Sequence, residues 1–212
     1  MSDVVEVHHP LVMHHLTQLR DKRATPVEFR ASIRRLATLL AFEATRDLAV
    51  RDLKIETPLT EMVGSELQPH VGLVPILRAG LGMVDPILDL IPAAEVWHLG
   101  VYRDEATALP VKYYNKLPQS NPVDVGLVLD PMLATGGSAI MALESLRDWG
   151  VHKLKLLSII AAPEGIDAVS LRFPDVQIFV CAVDSELNTN KYIVPGLGDA
   201  GDRVFNTVRH SP

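Results

Sequence analysis

The residue types best suited to chemistry in this chain are concentrated between Val125 and Ala139. An apolar run over residues 125–129 predicts a buried strand, and Asp130 follows it directly. The next loop closes on Thr-Gly-Gly-Ser, where a helical pattern begins. Glycines let backbone N–H groups turn toward an anion, and Ser138 adds a hydroxyl where a helix N-terminus favours negative charge. The stretch predicts a site for a phosphate and a sugar, with Asp130 holding ribose hydroxyls or a hydrated Mg²⁺.

Other interpretations of this stretch have different sequence requirements. The plainest is a strand-to-helix turn with a glycine-rich connector and an ordinary helix cap. The stretch lacks the lysine of the Walker pattern, which disfavours a P-loop nucleotide hydrolase. No Gly-x-Gly-x-x-Gly turn follows the first predicted strand, which disfavours a dinucleotide-binding Rossmann domain.

Apolar runs separated by helical patterns predict the fold. The runs cover residues 71–77, 95–102, 125–129, 154–160 and 176–182. Helices are expected between them, including residues 138–149, which Gly150 ends, and residues 164–171. This alternation implies an α/β fold with a Rossmann-like, mostly parallel five-stranded sheet and helices on both faces. Pro75 lies near the end of the first run and predicts that the strand breaks there, because proline lacks an N–H donor.

The N-terminal third is expected to supply scaffold. An apolar stripe in residues 9–22 predicts a helix, and a capping box at residues 25–28 begins a longer one. The apolar width of the longer helix favours a subunit contact. Residues 50–66 predict a short strand or a hairpin. No repeat, low-complexity tract or linker divides the sequence, so we expect one domain over residues 1–212.

Charged residues stand just past the ends of predicted strands, namely Arg78, Arg103, Asp130 and Asp184. Ligands of parallel sheets bind at the carboxyl ends of strands, so we expect these residues to share a cleft. Residues 103–118 are mostly polar around the apolar segment 111–116, which predicts a β-hairpin flap. After Asp184, a glycine-rich segment without periodicity reaches the C-terminus, and so long a loop is usually functional or disordered. Its apolar Ile193 and Leu197 argue against disorder.

Composition and charge narrow the function classes. Apolar residues make up 48% and charged residues 22% of the chain, as in ordinary globular proteins. The net charge of −6 and the lack of a basic tract disfavour a nucleic-acid binder. No apolar stretch reaches membrane-spanning length and no signal peptide is visible, so we expect no membrane association and a cytoplasmic location.

The cysteine and the N-terminal histidines are expected to be structural. Cys181 lies in the apolar run 176–182, where a core residue is favoured over a nucleophile. The N-terminal histidine cluster is poorly spaced for a closed metal site, and solvated or packing roles are favoured for His8, His9, His14 and His15.

Sequence segments along nearly the whole chain resemble the signature segments of the uracil phosphoribosyltransferase family, in their usual order. They are Val-Pro-Ile-Leu-Arg-Ala-Gly at 74–80, Asp-Pro-Met-Leu-Ala-Thr-Gly-Gly-Ser at 130–138, Ala-Ala-Pro-Glu-Gly at 161–165 and Tyr-Ile-Val-Pro-Gly-Leu-Gly-Asp-Ala-Gly-Asp at 192–202. Other phosphoribosyltransferases share only the second kind of segment and commonly carry two adjacent acids there. Here Leu129 precedes Asp130, as in the uracil type.

The resemblance implies a reaction and a set of site residues. Ribose 5-phosphate would pass from 5-phospho-α-D-ribose 1-diphosphate (phosphoribosyl diphosphate) to N1 of uracil, giving UMP and diphosphate. The implied ligands of phosphoribosyl diphosphate are Arg78, Arg103, Asp130, Pro131, Met132, Leu133, Ala134, Thr135, Gly136, Gly137, Ser138 and Asp199. The implied uracil site, in a hood built from C-terminal and N-terminal segments, comprises Ile193, Gly198, Asp199 and Ala200.

The implied mechanism is displacement at the anomeric carbon through an oxocarbenium-like transition state, without a covalent intermediate. The implied catalytic residues are Asp130, Arg78, Arg103 and Asp199. Asp199 is a candidate general base by placement only. Mg²⁺ would be carried mainly by the substrate, and closure of the flap would exclude water. Family members are commonly dimers or higher oligomers, and some are activated by GTP, although no GTP site is visible in the sequence.

Two alternative functions are compatible with the sequence. One is a phosphoribosyltransferase for another base, against which the hood sequence argues. The other is a regulator that keeps the fold, senses the nucleotide and binds RNA or a promoter, against which the acidic charge and complete site argue.

Overall fold

The structure is a computed structural model that describes residues 3–103, 110–115, 117–118 and 120–207. Its strands in chain order are β1 (Val4–Glu6), β2 (Val50–Glu56), β3 (Glu61–Leu67), β4 (Val71–Leu77), β5 (Glu95–Val96), β6 (Leu99–Arg103), β7 (Pro110–Asn115), β8 (Val125–Leu129), β9 (Met132–Leu133), β10 (Lys153–Ala161), β11 (Gln177–Val183), β12 (Glu186–Leu187) and β13 (Ile193–Val194). Its α-helices are α1 (Pro10–Arg20), α2 (Pro26–Ala44), α3 (Val84–Leu88), α4 (Gly137–Trp149), α5 (Pro163–Arg172) and α6 (Ala200–Phe205). A 3₁₀ turn over Ala79–Met83 leads into α3.

A mostly parallel sheet forms the centre of the fold, with strand order β1-β11-β10-β8-β4-β6-β7. Every neighbouring pair along this order is parallel except β6 and β7. The predicted parallel α/β sheet is therefore confirmed, and its five predicted strands are the central ones. The sheet extends further than predicted, because β1 adds a parallel edge and β7 an antiparallel one. The strand β1 could not be predicted, since three residues are too few to show a period.

The first central strand continues past its proline. β4 runs to Leu77, and Pro75 pairs with Leu129 in register, so the predicted break at Pro75 is wrong. The O of Leu73 accepts the N–H of Trp97. Because the backbone polar groups of residues two apart point to the same side of a strand, the backbones of Leu73 and Pro75 both face the side of β5 and β6. On that side β5 pairs with β4 only as far as Leu73, and β6 pairs with β4 only from Ile76 onward. Pro75 therefore faces the gap between β5 and β6, and this gap also divides the single strand predicted over 95–102.

Hydrophobic residues pack on both faces of the sheet. On one face, α1, α2 and α3 cover side chains such as Leu127 and Leu157. On the other, α4 and α5 cover the alternate side chains, such as Val128 and Leu156. Because strand side chains alternate between faces, one apolar run contributes to both cores. Cys181 belongs to the first core, as predicted, and burial together with the negative charge of Glu6 raises its pKa to about 12.

The second helix is capped as its sequence predicts. The Thr25 hydroxyl accepts the N–H of Glu28, and a carboxylate oxygen of Glu28 accepts the N–H of Thr25, which completes the capping box. At its other end α2 is tied to the sheet by the buried Lys155, whose Nζ donates to the O of Ala44 at 2.6 Å and to Asp47. This anchor lies near the amino end of β10, away from the carboxyl ends of the strands.

Residues 50–67 form a hairpin that is separate from the central sheet. β2 and β3 pair only with each other, in an antiparallel hairpin that confirms the prediction. The hairpin exposes large apolar side chains, namely Val50, Leu53, Ile55, Leu59, Met62, Val63 and Leu67.

Within the described residues, every helix is too short or too polar to cross a membrane.

Candidate active site

The order in which strands are added to the sheet reverses between β4 and β8. From β4 the chain moves outward on one side to β6, and it then returns to place β8 against the opposite side of β4. Such a switch point opens a crevice at the carboxyl ends of the two strands. Arg78 follows β4 and Asp130 follows β8, so the topology brings these two predicted site residues to the same crevice.

The loop after β8 is pinned along the neighbouring strand. The O of Pro131 accepts the N–H groups of Ile159 and Ile160 at 3.1 Å each, and β9 pairs in parallel with the end of β10. The loop then turns through Gly136, whose φ of 80° is a left-handed conformation that favours glycine. No side chain caps the following helix α4, which begins at Gly137. The first-turn N–H groups of α4, including that of Ser138, therefore face the loop and suit an anion.

The segment 161–165 supports this loop from behind. A Cβ built on Gly165 would lie 2.4 Å from the O of Ala134 and 2.9 Å from the O of Leu133. The N–H of Ala162 donates to the O of Leu133 at 2.9 Å. Only glycine at position 165 allows this close approach. The Ala-Ala-Pro-Glu-Gly segment thus shapes the loop over residues 130–138.

Asp130 is a partly buried carboxylate at the head of the loop. Burial raises its pKa from 3.8 to about 7, and the N–H of Met132, which donates to its Oδ1 at 3.2 Å, opposes the shift. Such a carboxyl accepts hydrogen bonds from sugar hydroxyls in its charged form. It also gives the site a group that titrates near neutral pH.

The two predicted arginines lie at the carboxyl ends of the neighbouring strands β4 and β6. Arg78, which follows a cis Leu77–Arg78 peptide, is 55% exposed, and its Nη2 lies 3.3 Å from Oδ1 of Asp202. The backbone of Arg103 ends β6, opposite Pro110 of β7, but its side chain lies outside the described residues. The predicted flap is an antiparallel pair formed by β6 and β7, and residues 104–109 that connect them lie outside the described residues.

The predicted hood, residues 192–202, lies within a segment made of the pair β12–β13 and α6. β12 and β13 pair as a short hairpin that places Ile193, which is buried, opposite Leu187. Gly198 is exposed with a φ of 80°. Asp199 caps α6 by accepting the N–H of Asp202 at 2.8 Å, and the buried Ala200 is the first residue of that helix. Tyr192 is half exposed at the rim of the segment.

The hood and the residues that follow β4 meet at a close contact. A Cβ on Gly201 would lie 3.3 Å from Oδ1 of Asp199, 3.9 Å from Nη2 of Arg78 and 4.0 Å from the Cβ of Ala79. Arg78 also stacks over the ring of Phe205, 5.9 Å from its centroid. The structure thus joins the segments 74–80 and 192–202, which lie far apart in the sequence.

One predicted cleft residue has a different environment. Asp184 follows β11, but its side chain is 4% exposed, and its carboxylate accepts hydrogen bonds from Arg20 and from the N–H of Gly196. Asp184 therefore binds the hood to α1. Sequence reasoning missed Arg20, Arg203 and Asp202 as partners of the site. Only Asp202 carried a signal, since it lies within the hood segment.

Comparison with known proteins agrees with this arrangement. The sequence model of the uracil phosphoribosyltransferase family matches residues 5–207. The chain belongs to the uracil phosphoribosyltransferase family. A uracil phosphoribosyltransferase of Roseiflexus sp. (strain RS-1) is 56% identical over 207 residues, which cover 98% of this chain and 100% of that protein.

Solved structures extend the comparison to the fold. A protein of Aquifex aeolicus superimposes with a TM-score of 0.92 at 36% identity, covering 98% of this chain and 100% of its own. An adenine phosphoribosyltransferase of Trypanosoma brucei superimposes with a TM-score of 0.57 at 10% identity, covering 94% of this chain and 89% of its own. The second likeness shows a shared α/β fold alone.

Proposed function

We propose that this chain transfers the 5-phosphoribosyl group of phosphoribosyl diphosphate to N1 of uracil, releasing UMP and diphosphate in pyrimidine salvage. The observation that carries the proposal is the contact of Arg78 with the hood residue Asp202. This contact lies at the switch point where Asp130 begins the loop over residues 130–138, which we call the anion loop. We further propose that residues 1–212 act as one catalytic domain.

The anion loop would hold the ribose 5-phosphate. Residues 134–138 would direct backbone N–H groups and the N-terminus of α4 at the phosphate, with the hydroxyls of Thr135 and Ser138 beside them. Pro131, Met132 and Leu133 would fix the path of the loop along β10. Asp130 would accept hydrogen bonds from the ribose hydroxyls. Support comes from the pinned backbone, which orders this anion site before the substrate arrives.

The hood would recognise uracil through its backbone. Uracil presents N–H and C=O groups side by side, and the main chain offers the matching acceptors and donors at Ile193, Gly198 and Ala200. The exposed Gly198 supports this role, because a residue without a side chain lets the base approach the backbone. Asp199 would face the phosphoribosyl diphosphate from the start of α6.

Catalysis would come from positioning and charge. Uracil N1 forms a bond to the anomeric carbon as the bond to the diphosphate oxygen breaks, and the proton of N1 leaves to a base. Arg78 and Arg103 would stabilise the departing diphosphate, because a guanidinium donates two hydrogen bonds to phosphate oxygens. Asp199 is the proposed base, and its Oδ1 already accepts the N–H of Asp202. Closure of the β6–β7 hairpin would keep water from the ribosyl cation.

The proposal includes Mg²⁺ bound mainly through the substrate. No group of three or more His, Cys, Asp or Glu side chains capable of holding a metal exists among the described residues. The carboxylates of Asp130 and Asp199 each engage one backbone N–H through Oδ1, so each has a second oxygen for a hydrated ion. This donor set fits an ion that arrives with diphosphate. When bound, Mg²⁺ would neutralise charge on the leaving group.

The β2–β3 hairpin supports a homo-oligomer. Its apolar side chains are exposed, including Ile55 and Val63, and monomeric proteins rarely expose so large an apolar patch. A second copy of this chain would cover them. Sedimentation of wild type and an Ile55→Asp variant tests this, since a charge at the contact is expected to shift an oligomer toward monomer.

Two further parts of the proposal rest on family resemblance and on the substrates. GTP would act as an activator, and titration of GTP against the initial rate tests this. The reaction would take place in the cytoplasm, because phosphoribosyl diphosphate is too highly charged to cross a lipid bilayer unaided.

A panel of free bases tests the proposed reaction. Purified protein is incubated with phosphoribosyl diphosphate and uracil, cytosine, hypoxanthine, adenine or orotate, with and without Mg²⁺. We expect UMP from uracil and far slower turnover of the other bases. Faster turnover of another base would assign the other-base alternative, and RNA binding in a gel shift at physiological salt without UMP formation would assign the regulator.

A further inference from the structure

We propose that Arg20, Asp184 and Arg203 are positioning residues that hold the hood in the form that binds uracil. This inference rests on the proposed function, since it concerns the segment assigned to the base. None of the three is among the residues assigned to substrate.

A largely buried ion pair between Arg20 and Asp184 lies under the hood, with side chains that are 22% and 4% exposed. Arg20, the last residue of α1, donates from Nη1 to Oδ2 of Asp184 at 2.8 Å and from Nη2 to Oδ1 at 2.5 Å. The same Nη1 donates to the O of Gly196 at 2.7 Å, and Oδ2 of Asp184 accepts the N–H of Gly196 at 2.9 Å. The N–H and the C=O of Gly196 are thus both bonded to this arginine–aspartate pair.

The guanidinium of Arg203 joins three segments of the chain. Arg203 donates from Nη1 to the O of Leu197 at 2.6 Å and to the O of Leu19 at 2.9 Å, and from Nη2 to the O of Asp21 at 2.7 Å. Its guanidinium lies over the ring of Phe29, 4.2 Å from the centroid. Arg203 therefore connects the hood to the end of α1 and to α2.

The held residues lie between the proposed uracil contacts. Gly196 and Leu197 lie between Ile193 and Gly198 in the chain, and both are buried. The turn is tight, because a Cβ on Gly196 would lie 2.1 Å from the O of Ile193. A shift of this backbone would therefore move the main-chain groups on both sides of it. Removal of one member of a buried pair leaves the other charge uncompensated, so the hood is expected to move when the pair is broken.

The test compares the Michaelis constants of the two substrates. In Asp184→Asn, one oxygen and the charge are lost while the size is kept. In Arg20→Lys, one ammonium replaces a guanidinium that makes three contacts. We expect both variants to raise the KM for uracil about tenfold or more, while the KM for phosphoribosyl diphosphate stays within about twofold. A millimolar guanidinium salt added to Arg20→Gly is expected to lower the raised uracil KM.

A second arginine–aspartate pair, whose arginine is buried to a similar extent and whose aspartate is more exposed, provides a control. Arg147 contacts Asp175 and donates to the O of Val151 and of His152, so it too ties backbone segments together. It belongs to α4 and lies outside the hood. Asp175→Asn is expected to leave both KM values unchanged. Thermal unfolding of all variants measures how far each substitution affects the whole fold.

The outcomes separate the inference from the proposed function. Wild-type protein that makes no UMP would overturn the proposed function. Wild-type activity with unchanged uracil KM in Asp184→Asn and Arg20→Lys would overturn only the positioning role. So would equal rises in both KM values, or a loss of kcat alone that follows the fall in melting temperature. If Asp184→Asn does not fold, Arg20→Lys and the guanidinium rescue decide the question.

Discussion

The guanidinium Nη2 of Arg78 lies 3.3 Å from Oδ1 of Asp202, which joins the end of the first central strand to the hood. The two side chains are 55% and 38% exposed, and a pair so open to water contributes at most about 1 kcal/mol. A diphosphate offers Arg78 more charge and more acceptor oxygens than this carboxylate does. The binding of phosphoribosyl diphosphate is therefore expected to draw Arg78 away from Asp202 at little cost.

Replacement of Arg78 by alanine tests its role at the diphosphate. We expect the KM for phosphoribosyl diphosphate to rise about 10- to 100-fold and kcat to fall, because charge-assisted hydrogen bonds to the leaving group are lost. The KM for uracil should change by less than about threefold. Initial rates with both substrates varied measure this, with Arg34→Ala as the control, since Arg34 pairs with Asp85 and Asp89 on the surface. Unchanged kinetics in Arg78→Ala would remove this residue from the site.

Substitution of Asp202 by asparagine tests the exchange of partners. The variant keeps the N–H that donates to Asp199, but it releases the charge of Arg78. We expect the KM for phosphoribosyl diphosphate to fall about two- to fivefold, which corresponds to the loss of an exposed ion pair. Binding of phosphoribosyl diphosphate measured by calorimetry should tighten by the same factor. A rise in this KM would show instead that Asp202 orients Arg78 toward the substrate.

The sequence carried the local features of the fold and missed those that depend on distant partners. The capping box of Thr25 and Glu28 was readable because both partners lie within one helical turn. The continuation of β4 through Pro75 was not readable, because it depends on where β5 and β6 pair. The edge strand β1 is too short to show a periodicity of its own.

The same division holds for the site. The succession of strand, loop and helix start over residues 125–138 could be predicted, because the residues that signal it are consecutive. The placement of Asp184 past a strand end was predicted correctly, but its environment was not. Its partner Arg20 lies 164 residues away, and no spacing rule connects such positions. The contact between Arg78 and Asp202 joins residues 124 positions apart, so it could not be predicted from sequence spacing either.

Substitution of Asp130 by asparagine tests the ribose contact. The variant has nearly the same shape but accepts weaker hydrogen bonds from ribose hydroxyls and carries no charge near the developing cation. We expect kcat/KM for phosphoribosyl diphosphate to fall on the order of 100-fold. Steady-state rates measure this, and circular dichroism confirms that the variant is folded. A fully active Asp130→Asn would contradict the ribose role.

The raised pKa of Asp130 also predicts how stability depends on pH. The native state holds this proton up to about pH 7, whereas the unfolded state releases it near its ordinary pKa of 3.8. The native state therefore binds more protons in this window, and the contribution of Asp130 to the free energy of unfolding falls as pH rises through it. Between about pH 4 and pH 8, the ligand-free wild type should lose about 2–4 kcal/mol relative to Asp130→Asn. Parallel urea-unfolding midpoints for the two proteins across this range would contradict the shift.

Lys155 offers a test of stability without chemistry. Its buried Nζ donates to Ala44 and Asp47 and lies 5.4 Å from the ring centroid of Phe179. Lys155→Met leaves the O of Ala44 without this donor, while Lys153 still lies 3.0 Å from Asp47. We expect a loss of about 1–3 kcal/mol in the free energy of unfolding, with both KM values unchanged below the melting temperature. A changed KM at unchanged stability would mean that this anchor reaches the active site.

The most direct test measures the products of wild type and Asp130→Asn side by side. Each protein is incubated with uracil, phosphoribosyl diphosphate and Mg²⁺, and UMP and diphosphate are quantified together. We predict equal amounts of the two products from wild type, none when either substrate is omitted, and a rate reduced on the order of 100-fold in the variant. Wild-type protein that forms no UMP, or diphosphate released without UMP, would contradict the assignment of this site to uracil phosphoribosyl transfer.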